Sequence, residues 1–200
     1  MDIKENQERF IKIYKQNIKR EGSDKLLEYL LSTDFFTAPA STRFHLSEEG
    51  GLCLHSLHTY ERLLADVKNE YGRNWEETFP AESITICGLL HDVCKANMYK
   101  VDTRNVKNNG VWEQVPYYTV EDKLPYGHGE KSVYIINGFM RITRDEAMAI
   151  NWHMGPFDAR VSGGGQNIMK EAFYQFPLAL MTFFADMQAV YLDEKEKTEE

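Results

Sequence analysis

The 200-residue chain is long enough for one domain with a sizeable core, and a hydrophobic content of 42% excludes both a disordered chain and a membrane-embedded one. A net charge of −8 excludes a basic nucleic-acid scaffold, so duplex nucleic acid is not an expected partner. No apolar run reaches the roughly 18–20 residues that cross a bilayer, and the charged start MDIKENQERFIKIYKQNIKR lacks the apolar stretch of a signal peptide, which points to the cytoplasm.

Phe10, Ile11, Ile13, Tyr14 and Ile18 fall near helical spacing and predict a first helix over 4–20. Phe10, Ile11 and Tyr14 would pack internally or at a homodimer contact. Ser23 or Asp24 caps a second helix over 24–32. A loop with Pro39 and the Gly50-Gly51 pair follows. Further helices are expected over about 52–71 and 81–94. The texture then changes: YKVDTRNVKNNGVWEQVPYYTV has no helical stripe, and two strand-like runs flank Asn109-Gly110, a hairpin turn signal. Helices resume at about 129–140, 143–153 and 176–193, and Gly163–Gly165 marks a flexible loop before the last of them. The expectation is an all-α bundle with a small inserted β-hairpin. Cys53, Cys87 and Cys94 are odd in number and form no C-x-x-C pair, so buried free thiols are expected rather than disulfides.

The polar residues inside these helices carry the chemistry. CGLLHDVCK (87–95) places His91 beside Asp92 at the end of an apolar run. A buried polar group must be hydrogen-bonded or ligated. Asp186 lies in LMTFFADMQAVY, where most helix faces are apolar. It is paired, on a narrow polar stripe with Gln188, or a ligand. His55 falls near the start of the third helix, His128 at a helix start and His153 at a helix end. Each histidine alone is most simply a hydrogen-bonded or capping residue, and His58 an ordinary surface one. Together His55, His91, Asp92, His128, His153 and Asp186 offer six N and O ligands from different segments. That is more than one tetrahedral zinc needs, and it suits a two-metal site acting on a phosphoryl group. An acidic protein can still receive an anion there, because metal ions reverse the local field.

This pattern resembles the HD-domain superfamily of metal-dependent phosphohydrolases, whose signature is H…HD…D on helices. His55 matches the first His, His91-Asp92 the doublet and Asp186 the last Asp. GLLHDVCK is similar to the common LLHDxGK form, with Cys94 where Gly is usual. TAPASTRFHLSEEGGLCLHS and YTVEDKLPYGHGEKS are also similar to the HD part of bacterial 3′→5′ exoribonucleases that join an OB-fold to an HD domain. The chain has no room for an OB-fold, which favours a smaller substrate.

The resemblance implies a single HD domain over 1–200: a core of about 37–193, N-terminal helices 4–33 and an acidic tail 194–200. It implies two divalent cations, of Mn, Fe, Mg, Co or Ni. His55, His91, Asp92 and Asp186 would hold the first, and His128 and His153 the second, with Asp92 bridging. Asp92 and Lys95 are the expected catalytic residues, and Lys95, Arg43, His45 and Lys131 the candidate phosphate contacts, for a nucleotide, short oligonucleotide or other phosphate ester. Trp112, Tyr117 and Tyr118 of the hairpin could stack on a base. The same ligand types also fit a di-iron oxygenase of a small substrate or a nucleotide-binding module without turnover.

Overall fold

The computed structural model describes residues 1–195, and its helices begin where a cap or a glycine permits and follow the apolar spacing. α1 (Ile3–Asn17) starts at Asp2, whose carboxylate accepts from the Glu5 N–H at 3.0 Å, satisfying one of the helix's unpaired donors. It buries Phe10 and Tyr14 on one face. The Tyr14 hydroxyl donates to the Ser23 carbonyl at 2.8 Å. α1 ends at Asn17 rather than at 20, because Ile18 turns extended and sinks into the core. α2 (Ser23–Ser32) buries Leu26, Leu27 and Leu30. Both N-terminal helices feed one contiguous apolar cluster that runs from Phe10 to Ala185, so Phe10 and Tyr14 pack inside their own chain.

α3 (Gly51–Tyr71) is the longest helix, and the short α4 (Trp75–Thr78) follows it. α5 (Ala81–Leu90) is buried at every position from Ser83 onward. α3 packs against α5 and against α9 (Pro177–Gln188), which form its two principal helix partners. Gly88 lets α3 and α5 touch: a Cβ there would lie 2.5 Å from Tyr60 Cα. Backbone cannot yield as a flexible side chain does, so Gly88→Ala should force the helices apart at a cost of about 1–3 kcal/mol. Urea unfolding should show a lower midpoint with an unchanged slope; a midpoint equal to that of the wild type would refute this tight contact.

The helix expected over 81–94 stops at Leu90. His91 keeps helical dihedrals, Asp92 leaves them (φ −107°, ψ 19°), and Val93–Lys95 form one tighter turn. The break lets adjacent residues aim at one point, which an unbroken helix forbids. β1 (Tyr99–Asn108) and β2 (Val111–Val120) pair antiparallel, with Tyr99 opposite Val120 and Asn108 opposite Val111. Asn109 and Gly110 both have positive φ, as the tightest hairpin turn requires.

α6 (His128–Asn137) and α7 (Arg144–Asn151) pack on each other. Thr143 and Glu146 cap α7 reciprocally. Between Gly163–Gly165 and the last expected helix lies a further one that the sequence pattern does not predict, α8 (Gln166–Gln175). It forms because Met169 and Ala172 bury beside Trp152 and Val161 in a smaller apolar cluster. α9 opens on Pro177 and gives way after Gln188 to a wider helical turn, Ala189–Asp193. The molecule is thus mostly helical with one two-stranded hairpin. Among the described residues no helix is long and apolar enough to cross a membrane.

Candidate metal centre

Five separate segments converge on one buried point. His55 comes from the second turn of α3, His91 from the end of α5 with Asp92 after it, and His128 from the start of α6. His153 lies just past α7, and Asp186 in the last turn of α9. All are buried except His128, which is a quarter exposed. Asp92 divides its carboxylate between two sets of donors. Its Oδ2 lies 3.6 Å from His55 Nε2 and 3.5 Å from His91 Nε2. Its Oδ1 lies 2.7 Å from His128 Nε2 and 3.3 Å from His153 Nε2. Asp186 Oδ1 adds to the first set, 3.2 Å from His55 Nε2.

The outer nitrogens fix the direction of the inner ones. His91 Nδ1 donates to the Gly88 carbonyl at 2.9 Å and His153 Nδ1 to the Ile150 carbonyl at 2.6 Å. A carbonyl only accepts, so these Nε2 atoms present lone pairs to the centre. His55 Nδ1 lies 3.1 Å and 3.2 Å from the two oxygens of Glu194, the carboxylate–histidine arrangement that orients metal ligands. His58 Nδ1 holds the same carboxylate at 3.0 Å, so His58 is tied inward rather than being a free surface residue.

Two observations show that the cluster wants positive charge. His153 Nε2 is fully buried and has no hydrogen-bond partner, a costly state for a polar atom. His55 Nε2 and His91 Nε2 lie only 3.1 Å apart, which needs a proton or a cation between them. Three carboxylates are buried here: Asp92, which meets the ammonium of Lys95 at 2.7 Å through Oδ2, and Asp186 and Glu194, which both meet His55. Burial alone would lower His55, but Glu194 and Asp186 override it and push the imidazole up to about 10. Burial alone would raise Asp186, yet its bond to His55 and the neighbouring imidazoles hold it down at about 2. Burial, only partly offset by Asp92, brings His91 down to about 3. Without a cation, therefore, the acids draw positive charge onto the imidazoles beside them: Glu194 and Asp186 onto His55, and Asp92 onto His128. The residues fit divalent metal: mixed N and O donors, imidazoles locked by outer partners, and one carboxylate between two donor sets.

A cavity of about 800 Å³ opens on the cluster. Arg43, His45 and Lys95 line it, as do Tyr99 and Val120 at the base of the hairpin. Met154, Phe157, Met187, Val190 and Tyr191 form apolar walls. Lys95 Nζ also donates to the Ala40 carbonyl at 2.7 Å. Asp92 raises its affinity for the proton against the effect of burial. His45 is pushed down to about 4 by burial and by the nearby His55 and Lys95. Lys131 does not line this cavity: it is buried with its Nζ on Asp122, so it pins a loop. Tyr117 and Tyr118 line a neighbouring concavity of about 940 Å³ with Arg43 and His58, while Trp112 stands exposed near the hairpin tip and lines neither.

Sequence reading missed Glu194, which it placed in an acidic tail over 194–200. Glu194 is buried on His55, and residues 196–200 lie outside the described ones. An ordinary helix would aim Glu194 roughly 80° away from the face of Asp186; the wider turn after Gln188 brings it back. Nothing in DEKEKTEE marks that one glutamate. No family model, curated protein or solved structure matches the chain.

Proposed function

We propose that the chain is an HD-type metal-dependent phosphohydrolase acting on a nucleotide, short oligonucleotide or other small phosphate ester. The observation that carries this reading is the divided carboxylate of Asp92, with one oxygen in each of two imidazole-rich donor sets. His55, His91, Asp186 and one oxygen of Asp92 would hold a first cation, and His128, His153 and the other oxygen a second. Bound there, divalent cations supply Lewis acidity that makes a water nucleophilic near neutral pH and offsets charge on phosphoryl oxygens.

The chain's own residues would do the rest. Two of the three N–H groups of Lys95 are taken by Asp92 and Ala40. The third is left for a phosphoryl oxygen, which an ammonium binds as a point charge. Arg43 lies at the mouth with its guanidinium 5.1 Å over the Phe44 ring and offers a forked contact to a second oxygen. The apolar walls would hold the body of the ester and exclude bulk water, which strengthens each polar contact inside. Lys95 is also what favours phosphate over the oxidation of an uncharged small substrate.

A turnover screen tests the reading. Metal-stripped protein reloaded with manganese should release phosphate or nucleotide from at least one class among phosphomonoesters, phosphodiesters and short RNA, and His91→Ala should release none. Silence of the wild type across the panel with metal bound would overturn it, and oxygen uptake with bound iron would replace it by an oxygenase.

A further inference from the structure

The hairpin carries one aromatic and apolar face along two adjoining concavities. Tyr99 and Val120 are paired across the strands and line the cavity over the metal centre. Val101 and Tyr118 form the pair two residues further out, about 7 Å along the strands. They line the neighbouring concavity together with Pro116. Side chains alternate between the faces of a strand, so these pairs stand on one side of the hairpin. Val101 and Val120 are more than half exposed, so the described residues do not cover this face. Thr42, Arg43 and Phe44 line both concavities, which makes the two contiguous. Arg43 stands at the junction with its guanidinium over the exposed Phe44 ring and, among the described residues, pairs with no carboxylate.

The lining of the outer concavity is mixed in sign. Arg104 and Lys195 stand there with Glu48 and Glu49, while Asp193 and Glu194 are already held by Arg62 and by His55 and His58. An apolar chain would strip water from charges of both signs without replacing their hydrogen bonds, and an anion would meet the two glutamates. A nucleobase suits the set. It is neutral, its amino groups donate to carboxylates, its ring nitrogens and carbonyls accept from a guanidinium, and its flat face stacks on an aromatic ring. Tyr118 offers such a ring. Arg104 lies 5.3 Å over the Tyr117 ring and adds a second flat surface. The cavity over the metal centre, about 800 Å³, is by itself the size of a site that buries a whole small ligand. One nucleotide therefore fills it, and the concavity beyond is left for the next.

We propose that this hairpin face is a second nucleobase subsite, so that the substrate is a dinucleotide or short oligonucleotide rather than a mononucleotide; the idea rests on the phosphohydrolase reading above. The scissile phosphate would lie at the metal centre, Arg43 would meet the backbone at the junction, and the neighbouring base would stack on Tyr118.

Calorimetry on manganese-loaded protein tests the subsite without turnover. The two probes are adenylyl-adenosine and the methyl ester of AMP, both with a phosphorothioate link that resists hydrolysis. They carry the same charge and differ by one nucleoside. The dinucleotide should bind at least about fivefold tighter, the least that one stacked base supplies. That advantage should vanish in Tyr118→Ala, return in Tyr118→Phe and persist in Tyr174→Ala, a change at an exposed tyrosine on α8. Equal affinities in the wild type, no binding of either probe, or an advantage that survives in Tyr118→Ala overturns the subsite. Hydrolysis of non-nucleotide esters in the turnover screen would then leave the phosphohydrolase standing. A silent screen beside a dinucleotide advantage that depends on Tyr118 overturns the phosphohydrolase and leaves the subsite, on a module that binds without turnover.

Discussion

Asp92→Ala should strip the protein of both cations in one step, whereas Asp186→Ala should empty only the first position. The difference follows from geometry. Asp186 approaches the first set through His55, at 3.2 Å, while Asp92 gives Oδ2 to the first set and Oδ1 to the second. Removing it deletes a ligand from each, leaves the second set without a carboxylate and leaves Asp186 as the one carboxylate of the first. Elemental analysis after gel filtration should read near two metal equivalents for the wild type and near zero for Asp92→Ala. Any turnover found should drop at least about 10³-fold, beyond the loss of a single oriented charge-stabilising donor.

Metal-free stability is a second readout of the same variant. Lys95 would keep only the Ala40 carbonyl as partner, and stranding one member of a buried pair costs about 3–5 kcal/mol. The effect should approach the lower end, because the Lys95 side chain is 12% exposed and can reach water. Asp92→Asn keeps the shape without the charge and should retain metal weakly. Two full equivalents of tightly bound metal in Asp92→Ala would sink the bridging role.

What the sequence disclosed of this site depends on how each residue is held. His91 and Asp92 were legible because polar groups stand out in a fully apolar helix, and α5 is buried along nearly its whole length. His55, His128, His153 and Asp186 were legible only as a set, since each alone reads as a paired, hydrogen-bonded or capping residue; the fold then brings all six together. Glu194 was illegible because its burial depends on a helical turn of altered width, and no periodicity announces one. Lys131 read as a phosphate contact from its place near a helix start, but its partner is Asp122, nine residues earlier on an irregular stretch that local patterns do not fold. α8 was hidden behind three glycines whose backbone freedom reads as loop, although Gly164, at φ +102°, merely turns the chain before the helix starts. Helix ends moved for a similar reason: Ile18 satisfies the core by leaving α1, which propensity alone does not foresee.

Arg20→Met should be strongly damaging although it lies outside the metal centre, lowering stability by about 3–5 kcal/mol. Arg20 lies between α1 and α2 and grips Glu146 of α7 with both ends of its guanidinium, at 2.8 Å and 2.9 Å. It also reaches Glu82 in the first turn of α5 at 3.1 Å. Glu146 is fully buried, so it cannot turn to water once Arg20 is gone. It would retain the Ser83 hydroxyl at 2.6 Å and the Thr143 N–H at 2.8 Å, which satisfy hydrogen bonds but not the charge. Adding Glu146→Gln should recover much of the loss, because the glutamine keeps the acceptor oxygen and removes the stranded charge. In a domain of this size the single variant should melt on the order of 10 °C lower, and a change under about 1 kcal/mol would mean that the pair is solvated. The consequence reaches the metal centre through α7, whose end carries His153. If α7 shifts when its anchor is cut, metal affinity at the second position should weaken in Arg20→Met and return in the double variant. If stability falls while that affinity holds, the Ile150 carbonyl and the packing around Trp152 suffice to aim His153 without the anchor.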